Sequence, residues 1–441
     1  MNDIEQIYEL YKGSYTVTTD SRTITPGCVF VALKGEHFDG NDFALKVAEE
    51  GVAACVIADR QVLPKHNRLF VVADSLKALQ ELAKYHREQL GLPIIGITGT
   101  NGKTTTKELV SAVLSKKYNI VFTQGNFNNQ LGVPLTLLRI KPGTEMAIVE
   151  MGASHPGDID ELTNLGEPNY GLITNIGRAH LEGFGGYEGV IKTKNEMYQY
   201  IGAHNGMLFV NRDNELLMDL AKDIDKVTYG TFEDADIQGK ILSANPYLSV
   251  EWNSKKIDTQ LVGDYNFENV MAAICIGTYF KVDANDIVKA LSSYCPTNNR
   301  SQVIETGNNR VVMDAYNANP TSMSHAIKNF RNISKDDNLL ILGDMRELGN
   351  ESEQEHKTII ELLKELKFKK VYFVGAEFSK TLENTKYPSK VEADNIDLSE
   401  YLVFSNVEEL IEYIASHPIK GFDILVKGSN SIHLNKIIES L

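Results

Sequence analysis

Hydrophobic positions along the chain switch repeatedly between two periods. Short aliphatic runs, each read as a buried strand, alternate with stretches in which apolar residues recur every three or four positions, read as helices. The run Ile94–Thr98 is β-branched and ends in a glycine turn, and a helix opens at Lys103 with Leu109, Val110, Val113 and Leu114 on its inner face. Upstream, strands are predicted at Cys28–Leu33, Ala53–Ala58 and Leu69–Val72, and helices at Asp42–Glu50 and from Asp74. In that last helix Asp74 or Ser75 serves as N-cap, and Leu76, Leu79, Leu82 and Leu90 share roughly one face. Downstream come strands Met146–Glu150, Gly171–Ile176 and Met207–Val210, then short strand-like pieces over 227–262 that predict a small antiparallel addition. A helix from about Gly263 is expected to bury Val270, Ala273, Ile274 and Gly277. Further strands near Val311–Ala315, Leu339–Leu342, Val371–Val374, Leu402–Phe404 and Ile424–Val426, with helices such as Glu353–Leu366 between them, predict a doubly wound parallel sheet. The chain therefore reads as α/β throughout, divided at Gly91-Leu92-Pro93 and near residue 300 into units 1–90, 91–299 and 300–441.

The turn after Ile94–Thr98 carries the first chemistry. Gly99, Thr100, Asn101, Gly102, Lys103, Thr104 and Thr105 join strand to helix in the way a chain cradles polyphosphate. Glycines let backbone N–H groups converge on the anion, and the helix N-terminus favours negative charge. Lys103, expected to be exposed at the loop–helix junction, would reach the terminal phosphates, and the Thr104 hydroxyl would hold Mg²⁺. The longer P-loop form asks for glycine at position 97, which is Ile97, so this is the shorter GxxGKT form. Glu150 closes a buried strand, where a second Mg²⁺-binding group belongs. His180 lies on the same rim, as structural residue or as metal or phosphate contact. Asn126, Asn128 and Asn129 are turn residues or substrate contacts, and the bland reading of Lys192 and Lys194 is a solvated helix face. In the N-terminal unit a polar turn gathers Ser21, Arg22, Lys34, Gly35, His37 and Gly40 around one apolar strand, a ligand site or a solvated loop.

Composition narrows the classes. With 441 residues, 42% hydrophobic and 23% charged, the chain is an ordinary globular one. A net charge of −15 argues against nucleic acid or an anionic membrane as partner, so a phosphorylated substrate needs local positive groups. Cys28, Cys55, Cys275 and Cys295 have no CxxC or metal spacing and fit reduced thiols of a cytosolic protein. The N-terminal MNDIEQIYELYKG has no basic-then-apolar pattern, so no secretory leader is expected, and no stretch is long enough for stable membrane insertion.

Six stretches, in order, carry a resemblance: TGTNGKTTTKE, GNFNNQLGVPLTLL, EMGASHPGDI, ITNIGRAHLEGFG, DAYNANPTSM and LGDMRELG. Together they resemble the Mur ligase family across all three units. The resemblance implies a central P-loop ATPase domain, a Rossmann-like C-terminal domain and an N-terminal domain that binds a UDP substrate. It implies ATP and two Mg²⁺ sites, a bacterial cytoplasmic location, a monomer, and a role in peptidoglycan synthesis. The YNANP and LGDMRELG stretches point to the step joining D-Ala-D-Ala to UDP-N-acetylmuramoyl-tripeptide through an acyl phosphate. By this resemblance Lys103, His180 and Lys194 are catalytic, and Gly99 to Thr105 with Asn269, Arg300 and Asp314 bind the nucleotide. Ser21 and Arg22 hold the uridine diphosphate moiety, and Asn126 the acyl-phosphate region. Thr104 and Glu150 hold one Mg²⁺, and His180 with Lys194, the latter as a carbamate, a second. Three departures stand out: Asn195 where relatives often have Gly, Tyr265 where many have His, and Asn430 where the pattern often reads Arg. Another Mur step or a folylpolyglutamate-type ligase remains open, as does a P-loop kinase; a GTPase would need an NKxD segment, which is absent.

Overall fold

The computed structural model describes residues 3–296, 302–334, 337–384 and 400–441. Its first sheet is parallel and runs in chain order through Val17–Thr18, Val29–Val31, Cys55–Ala58 and Leu69–Val71. The helix Ser75–Leu90 follows, capped by the Asp74 carboxylate on the Lys77 N–H at 2.9 Å. Gly91 ends it in the left-handed region at φ 61°, a glycine stop.

Sequence patterning gave no hint of how tightly this unit joins the next. One apolar cluster runs from Ile7, Tyr11 and Leu79 to Leu137, Ala147 and Val149 without a break. Two buried polar contacts cross the same seam: the Tyr11 hydroxyl donates to Leu138 O at 2.7 Å, and the His86 ring meets Ile140 O at 2.9 Å.

The central sheet has nine strands. Reading across it, they are Lys255–Val262, Tyr247–Trp252, Ile237–Ser243, Lys226–Gly230, Met207–Asn211, Tyr170–Ile173, Ile94–Thr98, Met146–Glu150 and Ile120–Phe122. The antiparallel addition begins at Ile237; Lys226–Gly230 pairs parallel to Met207–Asn211 and belongs to the main sheet. Ile94–Thr98 sits between Tyr170–Ile173 and Met146–Glu150, with Ile97 opposite Glu150. That register delivers the carboxylate beside the glycine turn. The strand expected over Gly171–Ile176 stops at Ile173, because Thr174 and Asn175 turn their hydrogen bonds to the glycine turn instead.

The helix predicted from Gly263 begins as a 3-10 turn at Asp264–Asn266 and becomes α-helical over Phe267–Tyr279. Every residue from Asn269 to Gly277 is buried, a helix enclosed on all sides instead of one burying a single face. A Cβ on Gly277 would stand 2.5 Å from Val113 Cγ1, so glycine lets this helix press against Lys103–Leu114.

The third sheet reads Gln302–Glu305, Arg310–Asp314, Asp423–Lys427, Asn338–Gly343, Lys370–Val374, Glu400–Phe404. Its last five strands are parallel, as predicted. The first is an antiparallel edge, too short and mixed in burial for the pattern to announce. Its two faces are covered by separate apolar clusters, the doubly wound arrangement.

Candidate active site

The glycine turn is built so that only glycine fits at both ends. Gly99 has φ 142° and Gly102 φ 79°, and a Cβ there would fall 2.0 Å from Thr174 Oγ1 and 2.6 Å from Asn269 Oδ1. Asn175 suspends the turn, its backbone O accepting from Thr100 N at 2.9 Å and its Oδ1 from Asn101 N at 3.0 Å. Thr174 Oγ1 donates to Asn101 O at 2.6 Å. Lys103, expected to be exposed, is half-buried. Its ammonium folds back over the turn and donates to Gly99 O at 2.8 Å and Thr100 O at 3.1 Å, which fixes the charge over the loop.

Thr104 and Glu150 meet, Oγ1 donating to Oε1 at 3.1 Å. Asn128 Nδ2 donates to the same oxygen at 2.8 Å. Glu150 is 1% exposed, yet its other oxygen, Oε2, has no hydrogen-bond partner among the described residues. Leaving a buried carboxylate oxygen unmatched is unfavourable, and a divalent cation is the partner this donor set suits. The residues present therefore fit Mg²⁺. Among the described residues no three His, Cys, Asp or Glu side chains form a metal cage; a Mg²⁺ site sharing substrate oxygens needs only one or two carboxylates. Behind Glu150, its N–H donates to Thr123 Oγ1 at 3.0 Å, and the buried Lys107 ammonium donates to Thr123 O at 2.8 Å.

Lys194 is no solvated helix residue: it is 2% exposed, whereas Lys192 is exposed. Burial, and then the charge of Lys103, bring its ammonium down to about 7. Its Nζ stands 5.5 Å from the Phe184 ring centroid, and His180 packs edge-on against that ring at 6.2 Å. One aromatic side chain thus seats both residues. His180 Nδ1 also meets the Glu347 carboxylate of the third sheet's loop, and this hydrogen bond holds the Glu347 carboxyl below its ordinary range.

The opposite wall comes from the C-terminal unit. Asp314 and Lys427 end neighbouring strands in register and pair at 2.6 Å, with Lys427 1% exposed. The helix Pro320–Ile333 begins with a capping box between Asn319 and Ser322. Its Thr321, His325, Lys328 and Asn332 recur at helical spacing along the cleft. Asn319 Nδ2 also donates to Asn101 Oδ1 at 2.8 Å, tying this helix to the glycine turn. Tyr265 lies nearly parallel to His325, centroids 6.3 Å apart. Asp314→Ala, which strands the Lys427 charge in the interior, is expected to lower unfolding free energy by about 3 kcal/mol, measured by urea denaturation.

These walls enclose a cleft of about 1230 Å³. Thr100 to Thr105, Asn126, Glu150, His180, Asn269 and Asp314 all line it. Asn269 braces the turn from behind, accepting from Thr106 Oγ1 at 2.9 Å and donating to Asn266 Oδ1 at 2.9 Å. Lys194, over the Phe184 ring, is not part of the lining. Ser21 and Arg22 lie elsewhere, on a turn of the first unit, with the Arg22 guanidinium forked on Asp20 at 2.7 and 2.9 Å. Arg300 lies outside the described residues. Sequence reading missed Lys427, Asn319, Asn175, Lys107, Phe184 and Glu347. Each except Lys427 sits inside a motif already quoted, and Lys427 is the last residue of the strand Asp423–Lys427.

Known proteins share this architecture. Family models match in chain order: Mur ligase family, catalytic domain over 14–87; Mur ligase middle domain over 97–277; and Mur ligase, glutamate ligase domain over 299–430. The chain is 34% identical to the UDP-N-acetylmuramoyl-tripeptide–D-alanyl-D-alanine ligase of Bacillus subtilis, over 99% of this chain and 98% of the relative. Among solved structures, MurF from Acinetobacter baumannii superposes with a TM-score of 0.82 at 31% identity, covering 96% of this chain and 92% of that one. MurF ligase from Thermotoga maritima in complex with ADP gives 0.81 at 27% identity, covering 100% and 98%. A glycine turn under Lys103, an open carboxylate oxygen at Glu150 and full-length likeness to these proteins lead to one conclusion: the chain belongs to the Mur ligase family.

Proposed function

We propose that this chain joins D-Ala-D-Ala to UDP-N-acetylmuramoyl-tripeptide at the expense of ATP, releasing ADP and phosphate. The observation that carries the ATP half is Lys103 poised over the glycine turn beside Thr104 and Glu150. The choice of substrates rests on the full-length relative that bears this name.

A carboxylate oxygen of the tripeptide attacks the γ-phosphorus of ATP, and ADP leaves with the bond's electron pair. The amine of D-Ala-D-Ala then attacks the acyl carbon, loses a proton, and phosphate departs with the original carboxylate oxygen. Both steps gather negative charge on oxygens, so the protein's work is positioning and cationic stabilisation. Gly99 to Thr105 wrap the phosphates, with Lys103 on the transferring group. Asn269, Asp314 and Arg300 frame the nucleotide, and Asn126 adjoins the acyl phosphate. Thr104 and Glu150 would hold one Mg²⁺ and His180 with carbamylated Lys194 a second, neutralising charge on the phosphoryl oxygens. Carbamylation joins the neutral Lys194 amine to CO₂ with release of one proton; burial makes that neutral form accessible near pH 7.

In this reading residues 1–90 bind the uridine diphosphate moiety through Ser21 and Arg22, residues 91–299 bind ATP, and residues 300–441 close the cleft. The enzyme works as a monomer in the bacterial cytoplasm. No helix of the described residues is long and apolar enough to cross a membrane.

Isotope transfer tests the reaction. With ¹⁸O in the tripeptide carboxylate, the label is expected in released phosphate, and ADP formation is expected to require the tripeptide. Unlabelled phosphate from a turning-over enzyme would overturn the acyl-phosphate route.

A further inference from the structure

His180 and Glu347 belong to different units and meet where those units touch. His180 lies in the turn between Tyr170–Ile173 and the helix Tyr187–Ala203; Glu347 lies in the loop after Asn338–Gly343. Both adopt left-handed backbone conformations, φ 51° and 64°. For residues other than glycine this conformation is held only where surrounding structure imposes it, and it clusters at functional sites.

The loop that presents Glu347 is anchored on both sides. Met345 N donates to the buried His356 Nε2 at 3.1 Å, Arg346 N donates to Ser429 Oγ at 3.0 Å, and Leu348 is 2% exposed. The segment that presents His180 is pressed against the same platform. Arg178 reaches Glu351 and Glu355, each at 3.3 Å, and its N–H donates to Thr321 Oγ1 at 3.3 Å. Gly349, at φ 53°, lets the Glu182 side chain pass; a Cβ there would lie 3.0 Å from Glu182 Cβ.

A carboxylate only accepts, so the Nδ1 of His180 must carry the hydrogen and Nε2 is left as the free ring position. A carboxylate behind an imidazole fixes ring orientation and tautomer. We propose that Glu347 is a positioning residue that sets the His180 tautomer and orientation from across the contact between the central and C-terminal units. The inference rests on the ligase reading for its kinetic consequence, but its geometry stands apart from it.

Four measurements test this on the full-length enzyme. Glu347→Ala is expected to lower kcat 10- to 100-fold, the usual scale for a carboxylate behind a functional histidine, with KM for ATP within about twofold. Glu347→Gln, which keeps an acceptor, is expected to recover most of that loss. In a His180→Ala background, Glu347→Ala is expected to add no further loss, because residues acting as a unit are non-additive. Independently of activity, ¹⁵N NMR of the resting enzyme is expected to show His180 as the Nδ1–H tautomer, shifting toward Nε2–H in Glu347→Ala. An unchanged His180 tautomer, additive losses in the double variant, or full activity in Glu347→Ala would each overturn the proposal. A wild type that fails to turn over would count against the ligase reading alone, since the NMR comparison still reads the contact.

Discussion

Lys103→Ala is expected to reduce ligation by about a thousandfold, the upper end of what removing one preorganised charge donor costs, without loss of the fold. The ammonium is held by two carbonyls of the loop it serves, Gly99 O and Thr100 O. Its place at the first position of a helix, where a cation opposes the macrodipole, gives it no favourable structural role. The stability change should therefore stay within about 1 kcal/mol. Steady-state ligation with a thermal melt on the same sample separates the two effects. Ligation retained by a folded variant removes the phosphate-cradle assignment.

Lys194→Ala is expected to be nearly inactive and partly rescued by acetate, which can occupy the vacated space with oxygen ligands. A solvated helix lysine would cost under about 0.5 kcal/mol of stability on removal and no activity. A residue 2% exposed, sharing Phe184 with His180 and sensing the charge of Lys103, is not in that position. Its folded-state value is depressed to about 7 from 10.5, so between those limits the unfolded chain binds more protons. In CO₂-free buffer, wild-type stability should accordingly rise with pH from about 7 to 10.5 through this group, and Lys194→Ala should lack that rise. Activity of Lys194→Ala titrated with acetate decides the matter: full activity without acetate, or none at any concentration, removes the carbamate.

Local pattern carried much of the site. Ile94–Thr98 and Met146–Glu150 appear in the structure with the bounds read from their aliphatic runs, and the helix after the glycine turn buries the face its periodicity marked. A strand that ends in a carboxylate beside a strand that ends in glycine is legible because the signal lies within a few residues. Tyr170–Ile173 was overrun by three residues for the converse reason. Thr174 and Asn175 look like strand continuation, yet their partners lie 73 and 74 residues away in the glycine turn.

The sequence by itself determined the α/β class, the order of the three units, the nucleotide turn and the family likeness. All of these rest on periods and motifs that span a few residues. Tertiary structure alone decided that Lys194 is buried, that Lys103 lies over its own loop, and that Asp314 meets Lys427 across 113 positions. It also decided that His180 meets Glu347, and that Ile7 and Leu79 share a core with Val149. Charge and burial at such places are set by whichever distant segment folds against them, and no local period records which segment that is.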